Sequence, residues 1–293
     1  MEASWLNKLQ FWRKSTLKTE LGLYICAEKI LVYQAATEHC AEQFSSYSFD
    51  KMDWTSAFEQ IVKALGTAKV HIVLSADFYQ LILVDKPNVE PEDISAALLW
   101  SVKDLVSQPV SDIHLDFFES SKQTTNKLNV VVTEKKQLVS LFTAARDVGI
   151  DICGVTIEEM AITNLFSDNQ ARLILSHCVD GEMLLAVVKN GELFMQRRVR
   201  GFTQLQSVAA EELAFGLADN LSLEIQRSMD YFESQLREAP VVSIDLLMVG
   251  ARDKLAELIS ENFNQEVTPY QAESVEAIYS QMALAEFSRG DAA

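Results

Sequence analysis

The chain of 293 residues is poor in glycine (10) and proline (5), and none of its segments is of low complexity. Long disordered linkers are therefore not expected, and an apolar content of 48% is sufficient for large hydrophobic cores. The apolar runs are all far shorter than the roughly 20 residues that a membrane-spanning helix needs. Residues 1–18 also lack the sustained apolar region and the small-residue cleavage site of a secretory signal.

Cysteine and histidine are scarce, with four of each. The cysteines show no CxxC spacing, so neither a zinc site nor a disulfide framework is indicated. The histidines are scattered, which is typical of single core or surface side chains. The sequence therefore predicts a protein of a reducing compartment with no metal site.

Basic residues are also few. The chain has 25 lysines and arginines and 42 aspartates and glutamates, which gives a net charge of −17. Such a surface repels a phosphate backbone, which argues against nucleic acid as a partner. Residues 1–18 are the exception, with a local sum of +3. A helix over residues 1–16 would place four apolar side chains on one side: Trp5, Leu6, Leu9 and Trp12.

This basic amphipathic leader has two interpretations, which the sequence leaves open. It is either an attachment device for a membrane surface or a partner protein, or a leading helix that covers the protein's own core. The first interpretation places the protein at the periphery of a membrane.

The most regular pattern in the chain is a helix that runs directly into a buried strand. Apolar residues recur on one helical face at steps of four, four, three and four: Leu221, Ile225, Met229, Phe232 and Leu236. Pro240 ends the helix, the apolar run Val241 to Val249 has the length of a strand, and Gly250 follows it. Many α/β folds build one wall of a nucleotide pocket in this way.

Two strand-rich regions indicate a duplicated architecture. Leu21 to Tyr33 contains two strands of the first region, and a third strand is expected from Gln43 to Phe49. Leu173 to Val199 predicts three strands joined by tight turns at Asp180-Gly181 and Asn190-Gly191, because both pairs favour two-residue hairpins. Predicted helices at 202–215 and 217–236 follow. Two lobes of α/β class with a cleft between them are therefore expected.

Five strings, in the same order, resemble the actin-like ATPase superfamily in its PilM branch of type IV pilus assembly proteins. They are ELGLYICAEKILVYQ at Glu20, PEDISAALLWSVKDLVSQPVSDIHLDF at Pro91, GIDICGVTIEEMAITNLF at Gly149, NGELFMQRRVRG at Asn190 and LSLEIQRSMDYF at Leu221. The resemblance covers nearly the whole chain. Within the branch, the short length and the altered motifs are most similar to the proteins of mannose-sensitive haemagglutinin (MSHA) pilus biogenesis.

The resemblance implies a two-lobed, actin-like (ribonuclease H-like) α/β fold with an inserted subdomain of the FtsA/PilM type and a reduced helical insertion in the second lobe. The implied boundaries are 1–16 for the leader, 17–87 and 149–170 for the first lobe, 88–148 for the inserted subdomain, 171–201 and 241–293 for the second lobe, and 202–240 for the helical insertion.

The ATPases of this superfamily hold nucleotide phosphates between two hairpins, one from each lobe, each with an acidic residue and glycines. Glycine lets backbone N–H groups approach the phosphate, and the carboxylate positions Mg²⁺ or its waters. In the first hairpin, the matching positions here are Tyr24 and Cys26, and in the second they are Ser176 and Cys178. None of these side chains replaces the carboxylate. The sequence therefore predicts a vestigial pocket with no catalytic residue, no metal and no cofactor.

Three further positions belong to the same vestigial pocket by resemblance. Glu224 and Arg227 lie on the helix before the Val241 strand. Gly250 matches the first of two glycines expected after that strand, and Ala251 stands at the position of the second. The adjacent Glu158-Glu159 pair is not expected to act together, because neighbouring helical residues do not share a face.

The resemblance implies a non-catalytic cytoplasmic scaffold at the inner membrane. Its expected partner is a PilN-like, single-span pilus assembly protein, whose cytoplasmic tail docks in a groove beside residues 88–148, and the link extends to the cytoplasmic pilus motor. The alternative is an ATP-binding adaptor or weak ATPase that uses Mg²⁺ and is tethered to the membrane through residues 1–16, as in FtsA. The related secretion protein GspL is disfavoured, because no transmembrane helix follows the second lobe before Ala293.

Overall fold

A computed structural model describes residues 19–37, 40–50, 53–121 and 126–290. The predicted leader, with Trp5, Leu6, Leu9 and Trp12, lies outside the described residues. Within them, no helix combines the length and apolarity that crossing a bilayer requires.

The first lobe is built on a five-stranded sheet in which the chain's third, second and first strands are followed by the fourth and the eighth. The strands are β1 (Thr19–Ile25), β2 (Lys29–Gln34), β3 (Gln43–Ser48), β4 (Ala68–Leu74) and β8 (Asp151–Ile157). Between β3 and β4 lies α1 (Trp54–Leu65), which begins where the Asp53 carboxylate accepts a hydrogen bond from the Ser56 amide at 3.1 Å. The continuous apolar runs of β1 and β4 reflect burial of this sheet on both faces.

The second lobe repeats this strand order. Its strands are β9 (Arg172–Ser176), β10 (Met183–Lys189), β11 (Glu192–Val199), β12 (Ser243–Leu247) and β13 (Glu266–Pro269), ordered β11-β10-β9-β12-β13. The long helix α5 (Leu217–Ser234) connects β11 to β12, and α6 (Arg252–Ser260) connects β12 to β13. The predicted apolar face of α5 is confirmed, because Leu221, Ile225 and Phe232 are fully buried. Two five-stranded lobes of equal topology support the expected duplication.

The inserted subdomain has its own three-stranded sheet, ordered β5-β7-β6. Its elements are β5 (Tyr79–Asp85), α2 (Ile94–Val102), β6 (Ile113–Phe118), β7 (Lys127–Glu134) and α3 (Lys135–Asp147). Because β5 pairs along its whole length with β7, residues 79–85 belong to the inserted sheet and not to the first lobe, where the predicted boundary of 88 placed them.

The last helix, α7 (Val275–Gly290), returns to the first lobe and packs on its sheet. At Gly22 of β1, any side chain would collide with the main-chain oxygen of Ser280, so glycine permits the close approach of strand and helix. The implied assignment of residues 241–293 to the second lobe is therefore wrong for this helix. Through α7, the end of the chain joins the two lobes.

Two local predictions fail in the second lobe. The predicted helix over 202–215 is wrong, because this segment contains only short 3₁₀ turns at Leu205–Ser207 and Glu212–Ala214. The two-residue turn at Asp180-Gly181 is also wrong, since β9 ends at Ser176 and the loop spans residues 177–182. The turn at Asn190-Gly191 is confirmed, with φ angles of 56° and 70°.

Candidate functional site

A cavity of about 660 Å³ lies between the lobes, where the first hairpin of one lobe faces the first hairpin of the other. Its lining includes Tyr24 and Cys26 from the β1–β2 hairpin, together with Ser176 and Cys178 from β9 and the loop that follows it. Glu276 of α7 also contributes to the lining. The structure therefore brings together four of the seven residues assigned to the vestigial pocket.

The other three residues lie outside the lining of this interlobe cavity. The Glu224 carboxylate pairs with Arg227 at 2.5 Å and with Arg197 of the second lobe. Gly250 has a φ of 92°, and a Cβ there would lie 2.5 Å from the Gln206 carbonyl oxygen. The absence of a side chain at Gly250 therefore lets the loop after β12 pack closely against the backbone of Gln206.

The two hairpins are in direct contact through side chains. The Tyr24 hydroxyl lies 3.4 Å from the Cys178 sulfur, and the Tyr24 ring stacks on the Tyr279 ring at a centroid distance of 5.3 Å. The Tyr279 hydroxyl in turn lies 3.0 Å from the Ser176 hydroxyl. The hairpins therefore contact each other beside the cavity through aromatic rings, hydroxyl groups and a thiol.

A buried ionic cluster, named here the Arg198 cluster, joins the lobes beside this contact. It consists of Arg198, Glu158, Glu159, Tyr24 and Tyr79. The Arg198 Nη2 donates to Glu158 Oε2 at 2.5 Å, to Glu159 Oε1 at 2.7 Å and to the Tyr79 hydroxyl at 2.9 Å. The tyrosine hydroxyls complete the cluster, because Tyr24 donates to Glu158 and Tyr79 donates to Glu159, each at 2.5 Å.

The members of the cluster come from four separate parts of the chain. Tyr24 lies on β1, Tyr79 begins β5, and both glutamates form the start of α4 (Glu158–Ala161) directly after β8. Arg198 lies on β11 of the second lobe. One second-lobe cation is therefore held by two first-lobe carboxylates and by the first strand of the inserted sheet.

The prediction that Glu158 and Glu159 would not act together is wrong. The two carboxylates lie at the first turn of a very short helix, and the forked guanidinium of Arg198 is wide enough to bond to both. Nothing in the sequence marks the partner, because Arg198 is 40 residues from Glu158. The cluster was therefore missed by pattern alone.

The cluster holds one cation against two carboxylates in a dry environment. Burial raises the pKa of Glu158, and the Arg198 charge opposes this rise only in part. Burial lowers the pKa of Arg198, but Tyr79, Glu158 and Glu159 raise it by more, so the guanidinium stays charged. The Arg198 cluster therefore keeps its central cation, while burial favours the protonated form of Glu158 relative to an exposed glutamate.

The nucleophiles of the cavity are held in their protonated forms. Burial, followed by the nearby Glu158 and Glu276 carboxylates, raises the pKa of the Cys178 thiol well above its ordinary value. Burial, followed by Cys178 and Glu158, does the same to the pKa of the Tyr24 hydroxyl. A protonated thiol is a poor nucleophile and a poor metal ligand.

The charge of the cavity lining opposes a free triphosphate. The lining carries six carboxylates and only two cations, Lys29 and Arg198, and the Arg198 cluster already engages the latter. A polyanion would therefore need a metal ion to offset this charge.

Replacing the central cation tests the energetic role of the Arg198 cluster. We expect Arg198→Leu to lower the free energy of unfolding by about 3–5 kcal/mol, because two buried carboxylates lose their counter-ion. Arg200→Leu removes the same charge just after the end of β11, but the Arg200 side chain is 91% exposed and little change is expected. Urea unfolding of both variants makes the measurement, and equal effects would contradict the assignment.

The raised pKa of Glu158 predicts a pH dependence of stability. A carboxyl whose pKa is higher in the folded state binds its proton more tightly there, so its contribution is present at low pH and is lost as pH rises. The wild type should therefore gain stability relative to Glu158→Gln as pH falls from neutral towards 4.5, the ordinary glutamate value. Urea midpoints across this range make the comparison, and parallel curves would show that Glu158 titrates alike in both states.

Among known proteins, the chain is similar to solved structures. No family model matches the chain, and no curated protein does. The solved PilM–PilN type IV pilus biogenesis complex is similar with a TM-score of 0.62 and 14% identity, over 92% of this chain and 98% of that one. The cytoplasmic domain of EpsL, an inner-membrane component of the type II secretion system of Vibrio cholerae, gives 0.55 and 15%, over 91% and 94%.

A third similar solved structure is described as having an actin-like ATPase fold. It is a Bacteroides thetaiotaomicron protein of unknown function with an actin-like ATPase fold, similar at a TM-score of 0.56 and 11% identity over 92% of this chain and 96% of that one. At these identities the likeness concerns the fold. The chain therefore has the two-lobed actin-like ATPase fold, in a form similar to that of PilM and EpsL.

Proposed function

We propose that this protein is a cytoplasmic, non-catalytic scaffold at the inner membrane that docks the cytoplasmic tail of a PilN-like, single-span pilus assembly protein. The fold shared with the PilM–PilN complex supports this role, and the five strings quoted above favour a pilus protein over a secretion protein. The altered hairpins favour an MshI-like protein of MSHA pilus biogenesis within that class.

One observation carries the non-catalytic part of the proposal. The hairpins that would hold the phosphates contact each other through Tyr24 and Cys178, at 3.4 Å. The same Tyr24 hydroxyl donates to Glu158 in the Arg198 cluster, so moving it aside breaks a buried hydrogen bond to a carboxylate. The lobes are held by internal contacts in place of a bound nucleotide.

A small groove between the first lobe and the inserted sheet is the docking site that we propose for the tail. This groove, named here the Thr133 groove, encloses about 90 Å³. It is lined by Asp77, Phe78, Tyr79, Gln80, Gln108, Ile113, Val132, Thr133, Glu134 and Gln137. The Thr133 hydroxyl is buried and has no hydrogen-bond partner. A buried, unsatisfied hydroxyl is costly unless a ligand bonds to it.

The chemistry of the groove matches a membrane protein's cytoplasmic tail. Its lining contains two carboxylates, Asp77 and Glu134, three glutamine amides, and no lysine or arginine. Cytoplasmic segments next to a membrane span are enriched in lysine and arginine. The amides and the Thr133 hydroxyl offer hydrogen bonds to an extended backbone, and Ile113 and Val132 offer apolar contact.

A labelled peptide with the tail sequence of the PilN-like protein from the same organism tests this site. We expect Glu134→Lys to weaken its binding by at least about tenfold, because a carboxylate facing the basic tail is replaced by a cation. Glu92→Lys makes the same charge change on an exposed turn outside the groove and should leave binding unchanged. Fluorescence anisotropy with the full-length variants makes the measurement.

Thr133→Val separates binding from folding. This change removes an unsatisfied buried hydroxyl, so the variant should be at least as stable as the wild type and still bind the peptide more weakly. Wild-type affinity in both Glu134→Lys and Thr133→Val would exclude the Thr133 groove as the docking site. The attachment role of Trp5 and Trp12, and the link to the pilus motor, stay predictions.

A further inference from the structure

A second and larger groove lies on the other side of the inserted sheet, between that sheet and the second lobe. This groove, named here the arginine groove, encloses about 780 Å³. One wall is formed by β5 and the other by β11 and α5. Ser121 joins the walls, because its amide donates to the Leu193 carbonyl at 2.9 Å and its hydroxyl donates to the Glu192 carboxylate at 2.7 Å.

Both walls of the arginine groove are edge strands, although the Leu193 carbonyl near the start of β11 already accepts the Ser121 amide. Within the described residues, β5 pairs only with β7 and β11 pairs only with β10, so each is the last strand of its sheet. Consecutive residues line the groove, 79–81 on one side and 194–198 on the other. Side chains alternate between the faces of a strand, so a consecutive run indicates that the groove follows the strand edge. Edge strands of this kind accept an added strand.

The charges at the groove are unusual for a protein with a net charge of −17. Arg197, Arg198, Arg200 and Arg227 line it, against Glu159 and Glu182. Two of the four arginines, Arg197 and Arg227, share the single carboxylate of Glu224. Burial lowers the pKa of Arg197, and the neighbouring Arg227 charge lowers it further, which shows that the two guanidiniums repel each other. An additional carboxylate would relieve this repulsion.

Two apolar side chains that line the same groove are exposed to solvent. Leu83 of β5 is 50% exposed, and Tyr231 of α5 is 43% exposed. An extended chain presents side chains alternately to its two sides, so it can direct carboxylates to the arginines and apolar groups to Leu83 and Tyr231.

We propose that the arginine groove binds an extended acidic segment of another protein by strand addition to the edge of β5 or β11. The arginines select carboxylates, and the strand edge supplies both N–H donors and C=O acceptors. A peptide backbone can satisfy both kinds of group, whereas a phosphate backbone offers acceptors only. This groove shares only Tyr79 and Gln80 with the lining of the Thr133 groove and favours the opposite charge, so the two sites would hold different partners.

A designed peptide probe tests the proposal without knowledge of the natural partner. The probe is a labelled peptide of about eight residues, the usual length range of a strand, that alternates glutamate with valine. Full-length wild-type protein should bind it saturably in fluorescence anisotropy. Arg227→Glu should weaken binding by at least about tenfold, because one of the two paired guanidiniums becomes a carboxylate. Arg146→Glu, at a 76% exposed position outside the groove, should bind as the wild type does.

Two further peptides separate strand addition from simple charge attraction. A lysine–valine peptide should not bind, and a glutamate–valine peptide with alternate backbone amides methylated should bind at least about tenfold more weakly, because methylation removes the N–H donors. Hydrogen exchange should show protection of residues 79–85 or 192–199 only with the unmethylated acidic peptide.

Four results would overturn the proposal. Two concern the peptides: no saturable binding of the acidic peptide, or equal binding of the methylated and unmethylated acidic peptides. The other two are binding of oligothymidylate that is lost in Arg227→Glu, and a dimer in light scattering that the wild type forms and Arg227→Glu does not. The last result would mean that a second copy of this chain occupies the groove.

Discussion

The Arg198 cluster is the constraint on which the rest of the structure depends. Burying two carboxylates is costly, and a single guanidinium from the other lobe offsets that cost only when the lobes are closed on each other. Tyr79 links the same cluster to the first strand of the inserted sheet. One set of hydrogen bonds therefore connects both lobes and the inserted subdomain, in addition to the packing of α7 on the first lobe.

Contacts within the chain hold the two lobes together at their hairpins. The hairpins meet through Tyr24 and Cys178, Tyr279 of α7 stacks beside them, and the adjacent cavity is rich in carboxylates. These contacts also set the position of the walls of the two proposed grooves. In this account the protein works through those surfaces: the Thr133 groove suits a basic tail, and the arginine groove suits an acidic segment.

Local structure was predictable where a short pattern has one physical solution. The turn at Asn190-Gly191 needs two positive φ angles, and the apolar steps of α5 need one buried helical face, so both were found from sequence. The helix expected over 202–215 failed because apolar residues there pack as separate turns. The short edge strand β13 was missed, since Glu266–Pro269 is only four residues long and ends in proline. The resemblance gave the lobes and their order, and the structure moved the start of the inserted sheet to Tyr79.

The candidate site was harder to predict because its contacts join distant parts of the chain. The structure places Tyr24 and Cys178 in contact with each other, whereas the resemblance treated them as residues that had replaced others and not as partners. Glu158 and Glu159 were noticed only as an adjacent pair and Arg198 gave no signal, because only tertiary packing brings the three together.

Isothermal titration calorimetry of the full-length protein with ATP and Mg²⁺ tests the central claim most directly. If internal contacts have taken the place of the nucleotide, no saturable heat should appear at ligand concentrations up to about 1 mM. Saturable binding at about micromolar concentration would contradict the account, because the triphosphate would have to separate Tyr24 from Cys178 and break the contact that closes the lobes.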